Sequence, residues 1–276
     1  MTPSRLHSIV KLFETCRYKH DLYMVFGDWC ECSAISMSNA VDLVNFEKRE
    51  ARYLEIARKY GSETMGTFSK IFGEVVMALE EKPQDILGMT FHALELHNKA
   101  RGQFFTPYPV CQLMARITAG SAEDMRKAIA ERGFMLAQEP AVESGAMIVA
   151  LAEAILEAGF NYQQLLHVTA VDIDPRAVHM AYIQFSLLHI PATVIVGDKL
   201  AMRFREEWHT MAHVMGGWSG KLRRAQENSG AGDGRPQPFR SVAMPQRGAI
   251  VAGGHVKPKQ EPSAPVIERN GQLRLF

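Results

Sequence analysis

The chain has 276 residues, 47% of them hydrophobic and 22% charged, with a formal net charge of +1. That is enough for one substantial core plus a smaller domain. No apolar run approaches the roughly 18 residues that span a bilayer, and the N-terminal stretch breaks its apolar positions with charges too often for a secretory signal, so the reading is a cytoplasmic protein with no membrane partner.

Residues 1–98 read as a helical domain. The stretch NAVDLVNFEKREARYLEIARKY sets Val41, Val44, Leu54, Ile56 and Ala57 at largely helical intervals among charges. TMGTFSKIFGEVVMALEE repeats the pattern with Met65, Phe68, Ile71, Phe72, Val75, Val76 and Leu79, and stops before Lys82-Pro83. A further helix, DILGMTFHALELHNKA, begins at Asp85, a good N-cap. The four cysteines (Cys16, Cys30, Cys32 and Cys111) are too few and too unevenly spaced for a disulfide framework. Cys30 and Cys32, with Cys16 and His20 upstream, lack the paired ligand spacing of structural zinc and read as reduced thiols, with no metal.

The grammar changes over residues 99–227. GFMLAQEP is a short apolar run ending on an acid and a proline, followed by a small-residue turn and the apolar helix GAMIVALAEAILEAG. LHVTAVDIDP is a second strand candidate, leading into the helix RAVHMAYIQFSLLHI, and ATVIVGDKL is a third. The β-branched core of this third run reads as buried on both faces. Such alternation predicts an α/β domain with a parallel sheet covered by helices, whose right-handed crossovers gather the strand C-termini on one ligand-binding edge. Residues 228–276, rich in Gly, Pro, Ser, Gln and Arg without periodicity, read as a disordered tail. Residues 221–276 carry ten Lys/Arg against four Asp/Glu, a net of +6, which leaves −5 for residues 1–220. A basic tail on an acidic body suits either a polyanionic partner or simple solubility.

Each strand candidate ends in an acid: Glu139, Asp172 and Asp198. Singly, each is explained as a cap or turn residue. Together on one sheet edge they suit a nucleoside, because a carboxylate after the second strand accepts hydrogen bonds from both ribose hydroxyls. The turn after the first strand admits a ligand to backbone N–H groups at a helix N-terminus. It lacks G-x-G-x-x-G, which argues against the pyrophosphate of a dinucleotide oxidoreductase.

The segment GQFFTP at residues 102–107, followed by EPAVESG at 139–145, VDIDP at 171–175 and GD at 197–198, resembles the gamma class of DNA adenine-N6 methyltransferases. Within it, the likeness is to modification (M) subunits of type I restriction–modification systems, and it covers roughly residues 60–200. The resemblance implies a Rossmann-like sheet that binds S-adenosylmethionine behind an all-helical domain. It also implies roles for named residues. Phe105, Thr106 and Pro107 would line the methionine part of the cofactor, and Glu139, Ser144 and Gly145 would form the loop beneath it. Asp172 would hold the ribose, Ile173 would lie beside the adenine ring, and Asp198 would meet its amino group.

Two departures stand out. Glu143 replaces the glycine before Ser144-Gly145, putting a side chain where backbone is expected to approach the cofactor. The family's Asn/Asp-Pro-Pro-Tyr/Phe motif, which grips a flipped adenine at the end of the fourth strand, is missing, since the chain contains no Pro-Pro. In the expected place stands WHTMAHVMGGW, residues 208–218. Its Thr210 and His213 would be the substitute catalytic groups, with Trp208 or Trp218 as a stacking face. The alternative is a fourth strand, HTMAHV, without catalytic duty. Only a short tail follows, where self-targeting relatives carry a recognition domain. Sequence specificity is therefore expected from a specificity subunit, another partner chain or the N-terminal helices. The two functional readings are a DNA adenine-N6 methyltransferase, weak or partner-dependent, and an inactive descendant that binds DNA or protein.

Overall fold

The computed structural model describes residues 4–96, 105–230 and 242–243. Residues 1–245 form one compact unit, and the second unit, 246–276, lies outside the described residues. The chain opens with α1 (Arg5–Cys16) and α2 (Leu22–Ser38), capped by the side chains of Ser4 and Asp21. Next comes α3 (Phe46–Glu81), 36 residues long and kinked at Gly61, where φ is +69°. The two periodic segments of the sequence are thus halves of one kinked helix, and glycine allows the left-handed residue between them.

The first half starts later than its pattern suggests. Val41 precedes the helix and Val44 is 94% exposed. The reason is local: the Asp42 carboxylate accepts from both the backbone and side-chain nitrogens of Asn45 and pairs with Arg49, which holds a turn before the helix. In the second half Phe68, Ile71, Val75 and Leu79 are buried at helical spacing. Helix α4 (Ile86–Ala93) begins as expected at Asp85, whose carboxylate accepts from the Gly88 amide at 3.1 Å.

Two further helices, α5 (Tyr108–Ala119) and α6 (Ala122–Arg132), precede the sheet. The three expected strands are then found as β1 (Met135–Glu139), β2 (Leu166–Asp172) and β3 (Ala192–Asp198). Helix α7 (Ala146–Glu157) follows β1, and the short α8 (Tyr162–Leu165) leads into β2. Helix α9 (Pro175–Leu187), capped by Asp174, joins β2 to β3. Successive crossovers in one direction set α7 and α9 side by side on one face of the sheet. Helix α5 packs on α7, α2 packs on α9, and one continuous apolar core runs from α1 through the sheet.

The fourth strand departs from the expected parallel pattern. It is β4 (Arg203–His209), antiparallel to β3, and Thr210 then caps α10 (Met211–Met215). HTMAHV is therefore a strand end plus a helix rather than a strand. Gly197 makes the hairpin possible, because a Cβ there would lie 2.6 Å from the Arg203 carbonyl oxygen. Helix α11 (Trp218–Gly230) follows, and β5 (Val242–Ala243) pairs in parallel with β1, giving the order β4-β3-β2-β1-β5. Both α11 and β5 reach into the segment expected to be disordered. The rest of that segment, like residues 97–104, lies outside the described residues.

Candidate functional site

Strands β1, β2 and β3 run parallel, so Glu139, Asp172 and Asp198 come to the same edge of the sheet. Between β1 and α7 the turn 140–145 folds back over this edge. The Val142 amide donates to the Val171 carbonyl at 2.9 Å, and the Glu143 amide donates to Asp172 Oδ2 at 2.9 Å. Asp172 Oδ1 accepts from the Asp174 amide at 3.0 Å. Burial pushes the Asp172 carboxyl above its usual range, while these amides pull the other way. Both oxygens are thus engaged by backbone amides, and the Ile173 amide adds to the same pull.

Beside it Ile173 is 64% exposed, an apolar platform at the sheet edge, and its carbonyl accepts from Arg205 at 2.9 Å. Asp198 accepts from the Ala201 amide at 2.9 Å and so also closes the β3–β4 turn. Glu139 is buried and accepts from the Ala141 amide at 3.2 Å.

The remaining residues of the turn face inward. Ser144 is fully buried, and its hydroxyl donates to Asp85 Oδ2 at 2.9 Å. Gln184 of α9 completes this knot: its amide nitrogen donates to Asp85 Oδ1 (2.9 Å) and to the Ser144 carbonyl (2.7 Å), and its oxygen accepts from the Leu87 amide (3.2 Å). Burial raises the Asp85 carboxyl above its ordinary value, against the opposing pull of these donors. Gly145 has φ +96°, and a Cβ there would stand 2.7 Å from the Phe185 ring. Ser144 and Gly145 therefore shape the loop through their contacts with the protein interior. Asp85, read from sequence only as a helix cap, and Gln184, not singled out at all, are the supports that sequence reasoning missed. Their long-range partners lie 40 to 99 residues away along the chain.

The described part of GQFFTP reaches the same turn. The Thr106 amide donates to the Glu143 carboxylate at 3.2 Å. Phe105 stacks on Phe91 with ring centroids 4.9 Å apart and meets His92 edge-on at 5.7 Å. Pro107 is the N-cap residue of α5. Gly102, Gln103 and Phe104 lie outside the described residues.

Thr210 and His213 are not part of this assembly. Antiparallel pairing sets His209 opposite Thr193 at the start of β3 and Arg203 opposite Asp198 at its end. Thr210 and His213 therefore lie at the N-terminal edge of the parallel strands. Seven residues of strand, on the order of 20 Å, separate that edge from the acids. Thr210 is fully buried; its hydroxyl donates to the Ile190 carbonyl at 2.9 Å and accepts from the Ala192 amide at 2.9 Å. His213 hydrogen-bonds His167 (2.9 Å) and Ser219 (2.9 Å) and stacks on His209 with centroids 4.5 Å apart. Burial, with the neighbouring rings as a lesser cause, holds His167 down to about 3 and His213 to about 4. These residues lock α10 and α11 to the sheet. Trp208 and Trp218 are likewise buried, at 3% and 1% exposure, and offer no open stacking face.

This geometry coincides with a family match. Residues 85–218 match the model of the N-6 DNA Methylase family. The matched stretch begins at Asp85 and contains all three strand-end acids and the turn, and it makes up just under half of the chain. Among solved structures, the chain is similar to a type I restriction-modification system methyltransferase subunit from Streptococcus thermophilus. The identity is 14%, the TM-score is 0.34, and the alignment covers 69% of this chain. It covers 57% of that subunit, less than two thirds of its length. No curated protein matches the sequence. No helix among the described residues is long and apolar enough to cross a membrane, and no group of three or more side chains there is placed to hold a metal ion.

Proposed function

We propose that the protein binds S-adenosylmethionine at the C-terminal edge of the sheet and is a DNA adenine-N6 methyltransferase or a close derivative of one. The observation that carries this reading is the convergence of Asp172, the turn 140–145 and residues 105–107 at one edge, within the stretch that matches the N-6 DNA Methylase family. The nucleoside end of the cofactor fits what is there. Asp172 offers a carboxylate at the edge for the ribose hydroxyls, Ile173 an apolar face for the adenine, and Asp198 an acceptor for its amine. Phe105, Thr106, Pro107 and Glu139 complete the site, while Ser144 and Gly145 hold its floor in place. The cofactor supplies a methyl group on a cationic sulfur; the chain's residues position it and limit water at the edge.

Strand order favours an acceptor side next to β1. The neighbour of β1 is β5, which ends at Ala243 level with Gln138, next to Glu139. A target base is expected beside β1 and β5 rather than near Thr210 and His213, and the sequence continues from β5 as Met244-Pro245. The second reading, an inactive descendant acting by binding DNA or a partner protein, is favoured by the absence of Pro-Pro anywhere in the chain. On either reading DNA, a specificity or other protein subunit and a cytoplasmic setting are the proposed context.

Calorimetry with S-adenosylmethionine and its demethylated product tests the donor site, and transfer of a labelled methyl group to DNA tests the chemistry. Loss of a charged acceptor of two hydroxyl bonds costs about 1.5–3 kcal/mol per bond at most. Asp172→Ala should therefore weaken binding at least tenfold. Normal binding by that variant would end the donor-site reading. Binding without transfer, alone or with partners, would leave the inactive descendant.

A further inference from the structure

The Glu143 side chain does something at this edge that a glycine cannot. Its backbone has φ +52°, a left-handed conformation disfavoured for a side-chain-bearing residue. Its amide is bound to Asp172, the proposed ribose acceptor, and its carboxylate is bound to the amide of Thr106 in the segment proposed to cover the methionine. One residue thus touches both halves of the donor site and ties together two segments 37 residues apart in sequence. Thr106 leads directly into α5, which is anchored on α7 through Gln112 and Tyr108, both bonded to Glu153. The Glu143–Thr106 contact therefore draws an anchored helix start against the turn, across the space where a ligand's amino-acid end would lie.

We propose that Glu143 is a latch that holds the donor site closed in the free protein. A nucleoside ligand with a zwitterionic amino-acid tail must displace its carboxylate from the Thr106 amide before it is fully seated. The inference rests on reading this edge as the S-adenosylmethionine site. It differs from simple charge repulsion, because the hydrogen bond and not the charge sets the barrier to seating. The conservative variant separates the two. A glutamine at this position keeps an oxygen able to accept from Thr106 but carries no charge.

The test uses the full chain, with S-adenosylmethionine and its demethylated product as calorimetric probes and amide hydrogen exchange at Thr106 as a second readout. Glu143→Gly suits the positive φ and removes the latch. It should bind the probes at least tenfold more tightly than the wild type, and in the free protein its Thr106 amide should exchange at least tenfold faster. Glu143→Gln, whose neutral bond to the Thr106 amide is weaker than the carboxylate's, should fall between the wild type and Glu143→Gly in both measurements. Equal or weaker binding by Glu143→Gly, with the wild type binding normally, overturns the latch and leaves the donor site standing. Tightening by Glu143→Gln as large as that by Glu143→Gly overturns it in favour of charge repulsion. Failure of the wild type and Glu143→Gly alike to bind either probe overturns the donor-site reading and the latch with it.

Discussion

Replacing Asp85 with alanine should do more damage than any change at the strand-end acids, and the hydrogen bonds say how much. The Asp85 carboxylate accepts from Ser144 Oγ, Gln184 Nε2 and the Gly88 amide, all in buried surroundings. Truncation leaves two buried side-chain donors without this acceptor, at about 1–3 kcal/mol for each group left unsatisfied. It also removes the N-cap of α4, worth about 1 kcal/mol. Relief of a buried charge offsets part of this, since burial is the largest influence on Asp85. A net loss of roughly 3–5 kcal/mol results, the range found when one member of a buried charged network is removed. Against a total stability of about 5–15 kcal/mol that is a large fraction.

Asp85→Asn is the informative control. Its oxygen can still accept from Gln184 and Gly88, and its amide can donate to a reoriented Ser144 hydroxyl, so the cost should stay under about 1.5 kcal/mol. The sign of the pH dependence follows from the raised carboxyl. The folded state binds the proton more tightly than the unfolded state, whose ordinary value is 3.8. The stability contributed by protonation is full below that value and is lost as pH rises through the folded one. The asparagine variant should therefore gain on the wild type as pH rises from about 4 toward neutrality. Urea unfolding of the three proteins across this range measures all of it. A loss below about 1 kcal/mol for Asp85→Ala, or equal damage from alanine and asparagine, would show that the knot is not satisfying these donors.

Gly145→Ala forces a Cβ to within 2.7 Å of the Phe185 ring at φ +96°; overpacking and backbone strain together should cost about 2–4 kcal/mol in thermal or urea unfolding. Thr210→Val should lower stability by about 1–3 kcal/mol through lost capping and buried hydrogen bonds, while calorimetric affinity for S-adenosylmethionine stays unchanged because Thr210 lies at the far edge; a selective loss of ligand binding would refute that placement. His167, His179 and His213 are held neutral at about 3, about 4 and about 4 by burial. The unfolded chain takes up protons below 6.5 while the folded one does not until about 3 to 4, so stability is full above 6.5 and is lost as pH falls. The loss is on the order of 3–5 kcal/mol per ring at most, and His179→Leu, which removes a ring with no hydrogen-bond partner at either nitrogen among the described residues, should flatten the acid side of the unfolding curve.

The parts of this protein that local chemistry dictates were legible in the sequence. Short, largely apolar runs ending in Glu139, Asp172 and Asp198 became β1, β2 and β3, and β3, the most β-branched of them, is buried along most of its length. Asp85 and the periodic apolar positions marked their helices, since capping and one-sided burial act within a turn or two of chain. What depends on distant pairing was not legible. The strand β4, RFREEWH, is exposed along most of its length as the edge of the sheet, so it carries no apolar pattern to betray it. Its antiparallel return moved Thr210 and His213 to the opposite edge from the acids, a displacement that sequence proximity to Asp198 concealed. The Asp85–Ser144–Gln184 knot and the Glu143–Thr106 contact join residues 37 to 99 positions apart. Such pairs are decided by how α4 and α9 pack around the turn, because a hydrogen bond between distant segments leaves no periodicity in either one.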